Sequence, residues 1–177
     1  KLSADQGSIT VGGTIDASDA GGGGTIELNA MNDLVLAAGS FLFANGVSGN
    51  ADPAAAYSHG GRVELSSRTG TLTMAPNATI DVSANAAGKS NGGKVVFSAR
   101  RITDSSGADA DVAMNLAGKV NLGAGATGGK SGVVVIEGVH GYDDISDTAA
   151  PSASGSAVMT DYQAFTGQAA AIAARLT

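Results

Sequence analysis

The sequence predicts an all-β fold, a three-sided parallel β-solenoid of about four coils followed by one C-terminal amphipathic helix. Two observations lead to this prediction. Short segments with apolar residues at alternate positions recur in a fixed order of three. Large apolar residues are also scarce: Leu, Ile, Val and Phe make 36 of the 177 residues, whereas Gly and Ala make 60. So thin a core suits a cylinder that is only one coil wide.

The most regular segments form a first series, in which a Gly-rich approach leads into an alternating apolar triplet. Its members occupy residues 24–28, 61–65, 93–97 and 132–136. A second series precedes each member of the first, at residues 15–17, 41–43, 80–82 and 120–122. A third series precedes the second, at residues 9–11, 34–36, 72–74 and 114–116. The order third, second, first therefore occurs four times, which is typical of a repeat protein.

Most segments are apolar at positions i and i+2, the pattern of a short strand that buries one face. Three such strands cannot bury an apolar face alone, but stacked units can, because each strand then hydrogen-bonds to its equivalent in the next coil. A β-sandwich is the competing fold, but its strands would not recur in the same order of three. The predicted core residues are Phe41, Phe43, Val63, Val95, Phe97, Val120, Val134 and Ile136.

Two insertions interrupt the regular spacing, at residues 45–60 and 98–113. Repeat proteins accept such excursions because closing a longer loop costs little extra free energy. Insertions of this kind map to one face of a solenoid, which is often the binding face. The candidate contact residues within them are Tyr57, His59, Arg100 and Arg101.

The outward positions of the first series become apolar in the last two coils, where Val96 and Val135 follow Glu27 and Glu64. An unbroken apolar run indicates a strand buried on both faces, so we expect another segment to cover it. The tail supplies a candidate, because a Thr-x-x-Gln capping box there precedes apolar residues at helical spacing. The predicted organisation is a β-helix region at 1–148, a Ser/Ala/Gly-rich linker at 149–158, and a helix at 159–177 that packs on the solenoid or caps it.

Composition and charge argue against several classes of function. The chain has no Cys, which excludes a disulfide framework and thiolate metal sites. No apolar run approaches the length of a membrane-spanning helix. A net charge of −6, with only 10 Lys and Arg, argues against nucleic acid as a partner.

No motif predicts catalysis, so we expect neither an enzyme nor a cofactor. The two histidines, His59 and His140, lack partners at metal-ligand spacing. Asp16 and Asp81 are outward strand residues, for which solvent exposure is a better explanation than an acid–base pair. The densest acidic cluster comprises Asp143, Asp144 and Asp147. We interpret this cluster as a solvated turn, and the sequence leaves Ca²⁺ binding there open.

Two stretches of the chain resemble a known repeat. Residues 13–28 contain Gly-Thr-Ile-Asp-Ala-Ser and then Gly-Gly-Thr-Ile-Glu-Leu, and residues 78–95 contain Ala-Thr-Ile-Asp-Val-Ser and then Gly-Gly-Lys-Val. These patterns resemble the repeats of filamentous haemagglutinin-type exoproteins, which Gram-negative bacteria export by two-partner secretion. The resemblance covers roughly residues 7–138. It implies a right-handed β-helix, export through an outer-membrane transporter to the cell surface or medium, and a role in adhesion.

From the repeat and this resemblance we expect a non-enzymatic structural and adhesive segment of a large secreted bacterial surface protein. Its coils would form a rod, and its loop insertions would attach to a protein or glycan ligand on a host cell or matrix. The alternative function is a β-helix module that binds or degrades polysaccharide, which would place an acidic groove along one side of the coils.

Overall fold

The computed structural model describes residues 1–48, 58–86, 88–126 and 128–139, and in these ranges the chain is all-β. Within the same ranges there is no helix long and apolar enough to span a membrane. The strands are β1 (Leu2–Ala4), β2 (Ile9–Val11), β3 (Thr14–Asp16), β4 (Thr25–Ala30), β5 (Leu34–Leu36), β6 (Phe41–Phe43), β7 (Arg62–Ser67), β8 (Leu72–Met74), β9 (Thr79–Asp81), β10 (Lys94–Thr103), β11 (Asp109–Val112), β12 (Met114–Leu116), β13 (Lys119–Asn121) and β14 (Val133–Val139).

Three sheets join equivalent strands of four successive units, which are β2–β4, β5–β7, β8–β10 and β12–β14. Sheet A has the order β1-β4-β7-β10-β14, sheet B the order β2-β5-β8-β12 and sheet C the order β3-β6-β9-β13. All of these pairs are parallel. The predicted all-β fold, with parallel pairing between equivalent strands, is therefore confirmed.

The register of sheets A and B follows the predicted alternation residue for residue. The aligned inward positions of sheet A are Ile26, Val63, Val95 and Val134. Those of sheet B are Ile9, Leu34, Leu72 and Met114. Because alternate residues of a strand point to opposite faces, this register sends the residues predicted to face inward in the two sheets to the same side.

The inward side chains of the three sheets meet in one hydrophobic core. Its largest fully buried members are Phe97, Leu28, Leu34, Leu36, Leu42, Leu65, Leu72, Met74 and Ile80. Of the predicted core residues, Val63, Val95 and Phe97 are fully buried. Three more, Val120, Val134 and Ile136, are partly buried and pack against this core. Each fully buried aliphatic side chain contributes about 1.5–3 kcal/mol of transfer free energy.

The prediction that Phe41 and Phe43 belong to the core is wrong. Leu42, which lies between them, is completely buried, whereas Phe41 is 37% exposed. In sheet C the residue that pairs with Ile15 and Ile80 is Leu42, one position away from the expected register. A shift of one residue moves every side chain of a strand to the opposite face.

The residues on either side of this triplet explain its register. Ser40 and Ala44 are completely buried, as are Ala78 and Val82 at the equivalent positions of the next unit. The core beneath sheet C therefore accepts small or medium side chains at its ends and one branched aliphatic side chain between them. Leu42 meets that requirement, whereas two inward phenylalanine rings would overpack the site.

Gly marks the corner at which each unit enters sheet A. A β-carbon added at Gly61 would collide with the carbonyl oxygen of Gly24 in the preceding unit. One added at Gly93 would meet the carbonyl oxygen of Gly61 in the same way, and one at Gly132 that of Gly93. The Gly-rich approach of the first series is therefore required by close contact between successive backbones.

Strand β10 continues past its parallel partners and turns back as a hairpin. Its residues 101–103 pair antiparallel with β11. The Asp104 carboxylate closes the tip by accepting hydrogen bonds from the backbone N–H groups of Ser106, at 2.8 Å, and Ala108, at 3.1 Å. Ile102 is 38% exposed on this projection. The hairpin is the second excursion that the sequence predicts.

Several predicted features lie outside the described residues. They are Tyr57, the acidic cluster of Asp143, Asp144 and Asp147, the linker at 149–158 and the helix at 159–177. The first excursion is described only at its two ends.

Candidate contact surface

The predicted contact residues lie at opposite ends of sheet A. His59 precedes β7, whereas Arg100 lies near the end of the parallel part of β10. The six steps from Lys94 to Arg100 alone span about 20 Å, at a rise of about 3.3 Å per residue. The structure therefore does not bring His59 and the two arginines together, and Tyr57 lies outside the described residues.

His59 links one unit to the next. Its Nδ1 accepts a hydrogen bond of 2.8 Å from the backbone N–H of Asn91, and its carbonyl oxygen accepts one from Gly23. Asn91 repeats the arrangement one unit later, because its Oδ1 accepts a hydrogen bond of 2.9 Å from the N–H of Lys130. The imidazole is exposed, but its Nδ1 is already used in a hydrogen bond between two units. This structural role weakens the assignment of His59 as a contact residue.

Two arginines stand at neighbouring positions at the far end of sheet A. Arg68 directly follows Ser67, and Arg100 directly follows Ala99, the pair at which the parallel register of β7 and β10 ends. Within the described ranges neither guanidinium makes an ion pair or a hydrogen bond. Arg101, the other predicted arginine, is partly buried. Two adjacent unpaired cations favour an anionic group as a ligand.

A cleft of about 360 Å³ opens beside Arg68 on the first strands of sheet A. Ser3, Asn29 and Ser66 line it from adjacent strands, and the register places them side by side. Asp5 closes one side, where its carboxylate accepts a hydrogen bond of 2.7 Å from Ser3 Oγ. The side chains of Asn29 and Ser66 have no hydrogen-bond partner in the described part of the chain, so their donors and acceptors face the cleft unused.

Two glutamates on the outer face of sheet A are neutralised locally. Glu27 and Glu64 are direct neighbours on β4 and β7. Lys1 Nζ lies 3.0 Å from Glu27 Oε2, and Arg62 forms an ion pair with Glu64. The Lys1 ammonium, by its hydrogen bond and its charge, lowers the pKa of Glu27. Val96, the next outward residue after Glu64, is only 6% exposed, which agrees with the apolar strip expected there.

The outer face of sheet C carries a site that the sequence reasoning missed. The rings of Phe41 and Phe43 stack there, with centroids 5.6 Å apart and planes inclined by 19°. Asp16 and Asp81 lie on either side of Phe43 in the neighbouring strands. Alignment on the Thr-Ile-Asp triplets of the adjacent units, with Leu42 opposite the isoleucines, would have revealed it.

Asp16 and Asp81 do not converge as an acid–base pair. The Asp16 carboxylate accepts hydrogen bonds from the hydroxyl and the backbone N–H of Ser18, and these lower its pKa. Asp81 accepts one of 2.8 Å from the N–H of Ser83. Phe43 stands between the two carboxylates. Among the described residues no group of three or more His, Asp and Glu could hold a metal ion.

Comparison with known proteins adds no assignment to these surfaces. No family model matches the chain, and no curated protein or solved structure has significant similarity to it. The geometry of the stacked units, the hairpin and the two faces therefore carries the functional proposal.

Proposed function

We propose that the chain is a non-enzymatic, adhesive segment of a large secreted bacterial exoprotein, built as a right-handed, three-sided β-helical rod. The observation that carries the proposal is the register of the four units, which repeats in all three sheets. Each added unit lengthens such a stack by one strand spacing of about 4.8 Å and leaves its sides unchanged. A stack of this kind extends display surfaces away from an anchoring point.

In this proposal the two excursions provide the surfaces that contact a ligand. The hairpin of β10 and β11 leaves the parallel sheets and ends in a tip held by Asp104. The first excursion departs between β6 and β7. Both excursions interrupt the stack without disturbing its register on either side. Pairing within the sheets therefore does not constrain their sequences, which can vary to suit a ligand.

The proposal also includes export of the chain from the cell and a cover for the apolar strip of sheet A. We assign the chain to the cell surface or medium of a Gram-negative bacterium, with an outer-membrane transporter as its partner during export, as the resemblance to haemagglutinin-type repeats implies. The predicted helix at 159–177 would pack on the solenoid, where the outward valines of β10 and β14 offer an apolar strip. An experimental structure with left-handed or open coils would contradict this part of the proposal.

Attachment of coated beads tests the adhesive function. Fluorescent beads carrying the full chain should bind cultured epithelial cells or their matrix more strongly than beads carrying serum albumin. A variant in which Asn-Gly replaces residues 102–111 keeps a two-residue hairpin turn while it removes the projection. We expect this variant to attach less well, with an unchanged circular dichroism spectrum. Attachment of the wild-type beads at the level of the albumin beads would contradict an adhesive role.

The cleft at Arg68 favours a second candidate, a module that binds or degrades polysaccharide, although it has one acidic residue, Asp5, and is not the acidic groove that the sequence predicts for such a module. Its serine and asparagine side chains offer neutral hydrogen-bonding groups, and its guanidinium suits a carboxylated sugar. Arg68→Ser, which installs the small polar residue type of the neighbouring positions, should abolish binding of an oligouronate measured by calorimetry. Unchanged binding would remove the cleft from consideration, and release of shorter products would identify an enzyme.

A further inference from the structure

The stacked pair of Phe41 and Phe43 is unusual for its position. Phe is among the residue types most often buried, yet Phe41 is 37% exposed and Phe43 is only partly buried. Both side chains belong to the outer face of sheet C, because the inward position of their strand is filled by Leu42. Exposed aromatic residues of this kind are enriched in surfaces that bind other molecules.

The register surrounds this pair with a specific set of polar residues. Phe41 lies between Thr14 and Thr79, which are neutral. Phe43 lies between Asp16 and Asp81, one on each adjacent strand. Neighbouring strands are about 4.8 Å apart, so each carboxylate stands beside the aromatic ring. The outer face of sheet C around these residues is called the aromatic–acidic face below.

Both carboxylates are held in place. Asp16 accepts two hydrogen bonds from Ser18, of 2.8 and 2.6 Å, and these orient the carboxylate and lower its pKa. Asp81 accepts hydrogen bonds from Ser83 N–H and from Asn121 Nδ2, the latter of 3.0 Å. Neither carboxylate forms an ion pair within the described residues. Two negative charges therefore flank an aromatic surface without a direct ion pair among the described residues, and the nearest cation in the register of this face is Lys119, which lies beside Thr79.

An aromatic ring flanked by carboxylates recognises a cation. The face of an aromatic ring attracts a guanidinium or ammonium group, and carboxylates bind the same group through charge-assisted hydrogen bonds. The chain as a whole carries a net charge of −6, which attracts a basic partner from a distance. A neutral sugar could stack on the rings and donate hydroxyl hydrogen bonds to the carboxylates, but it carries no positive charge to balance theirs.

We propose that the aromatic–acidic face binds a basic segment of a partner protein, with an Arg or Lys side chain laid against Phe43 between Asp16 and Asp81. Arg fits best because its planar guanidinium stacks on a ring while its edge donates to carboxylates. The adjacent ring of Phe41 extends the apolar contact to the aliphatic stem of that side chain. The proposal adds a specific ligand chemistry and does not depend on the adhesive role.

Titration of the full chain with a defined peptide tests this site. The probe is acetyl-(Arg-Gly)₃-amide, and its matched control has citrulline, a neutral and nearly isosteric residue, in place of each Arg. We expect the arginine peptide to shift the amide resonances of β3, β6 and β9 in ¹H–¹⁵N spectra. The citrulline peptide should bind at least about tenfold more weakly, because it loses both the cation–π attraction and the ion pairs.

The repeat provides variants that keep the fold. Phe41→Thr with Phe43→Asn installs the residues that β9 and β13 carry at the equivalent positions, Thr79 and Asn121. This double variant should weaken arginine-peptide binding about fivefold or more. Asp16→Asn with Asp81→Asn keeps hydrogen-bond acceptors for the turns, as Asn121 does for Gly123, and should weaken it by a similar factor. Thermal melting checks that both variants remain folded.

Asp104→Asn, which removes one charge from the hairpin, is the control for general electrostatic attraction. The proposal requires that this variant bind the arginine peptide like the wild type. Equal binding of the citrulline peptide would overturn it, as would an equal loss in Asp104→Asn. If maltohexaose shifted the same resonances and the arginine peptide did not, the face would be a glycan site and the proposal would be wrong.

Discussion

Two triplets that lie side by side in sheet C show how the units of this chain differ. Strands β6 and β9 are in parallel register, and Leu42 and Ile80 fill the same completely buried position. Their outward residues have little in common, because Phe41 stands beside Thr79 and Phe43 beside Asp81. The central inward position is thus held to a branched aliphatic side chain by the core, whereas the outward positions differ in size and polarity and are where a ligand site can arise.

The largest loss of stability should come from truncating the inward side chain of β6. Leu42→Ala should lower the free energy of unfolding by about 3 kcal/mol, because it leaves a cavity under sheet C. The double variant Phe41→Thr with Phe43→Asn should cost less than about 1 kcal/mol, since it changes only the outer face. Urea denaturation of the full chain, followed by circular dichroism, measures both. A larger loss in the phenylalanine variant would mean that the register described here is wrong.

The corner of sheet A offers the next largest effect. Gly93→Ala should destabilise the fold by about 2 kcal/mol, because the new methyl group meets the Gly61 backbone. Gly12→Ala is the matched control, since a β-carbon at Gly12 would meet no atom of the described ranges within 4 Å. Thermal melting should show a clear decrease for the first variant and none for the second. Similar melting temperatures would indicate that successive units do not touch at this corner.

A smaller change in stability should follow when a buried residue of one unit is replaced by the residue at the equivalent position of the next unit. The hydroxyl of Ser40 is buried without a hydrogen-bond partner among the described residues, while Ala78 occupies the equivalent position of the following unit. Ser40→Ala should therefore raise the free energy of unfolding by about 1 kcal/mol. The reverse change, Ala78→Ser, should lower it by a similar amount in the same denaturation experiment. A loss of stability in Ser40→Ala would show that the hydroxyl has a partner.

The smallest expected effect is on the stability of the fold at acidic pH, through the Asp16 carboxylate. Asp16 and Asn121 occupy equivalent positions of sheet C, and each accepts a hydrogen bond from a backbone N–H two residues later. Only Asp16 titrates, and its folded pKa lies below the ordinary value of 3.8. Its contribution is present above pH 3.8 and is lost as the pH falls through the folded pKa. Asp16→Asn should flatten the pH dependence of the melting temperature in that acidic window; an unchanged profile would refute the assignment.

Much of the fold was predictable because most triplets alternate between apolar and polar residues. Thr79-Ile80-Asp81 can point only its isoleucine inward, and Glu27 and Glu64 fix sheet A in the same way. Phe41-Leu42-Phe43 is apolar throughout, so alternation cannot choose its register. The packing of small residues around Leu42 decides it, and that depends on neighbours from three sheets.

The candidate site was not predictable for the same reason. The sequence predicts contact residues in the insertions, but His59 there links two units through its hydrogen bond with Asn91. The aromatic–acidic face arises from residues of three consecutive units that only the register brings side by side. Likewise, Arg68 and Arg100 become neighbours only because each follows the last pair of the parallel register between β7 and β10.

Parallel pairing of equivalent strands also determines how this chain would respond to mechanical load. The bonds between units run across the strands, along the direction in which the units stack. A pull in that direction would load one row of bonds at a time, so the units would peel away in sequence. The inward residues Ile26, Val63, Val95 and Val134 are 32 to 39 positions apart. Each rupture would therefore release about 110–140 Å of extended chain, and the segment would yield under tension in steps while the remaining units stayed folded.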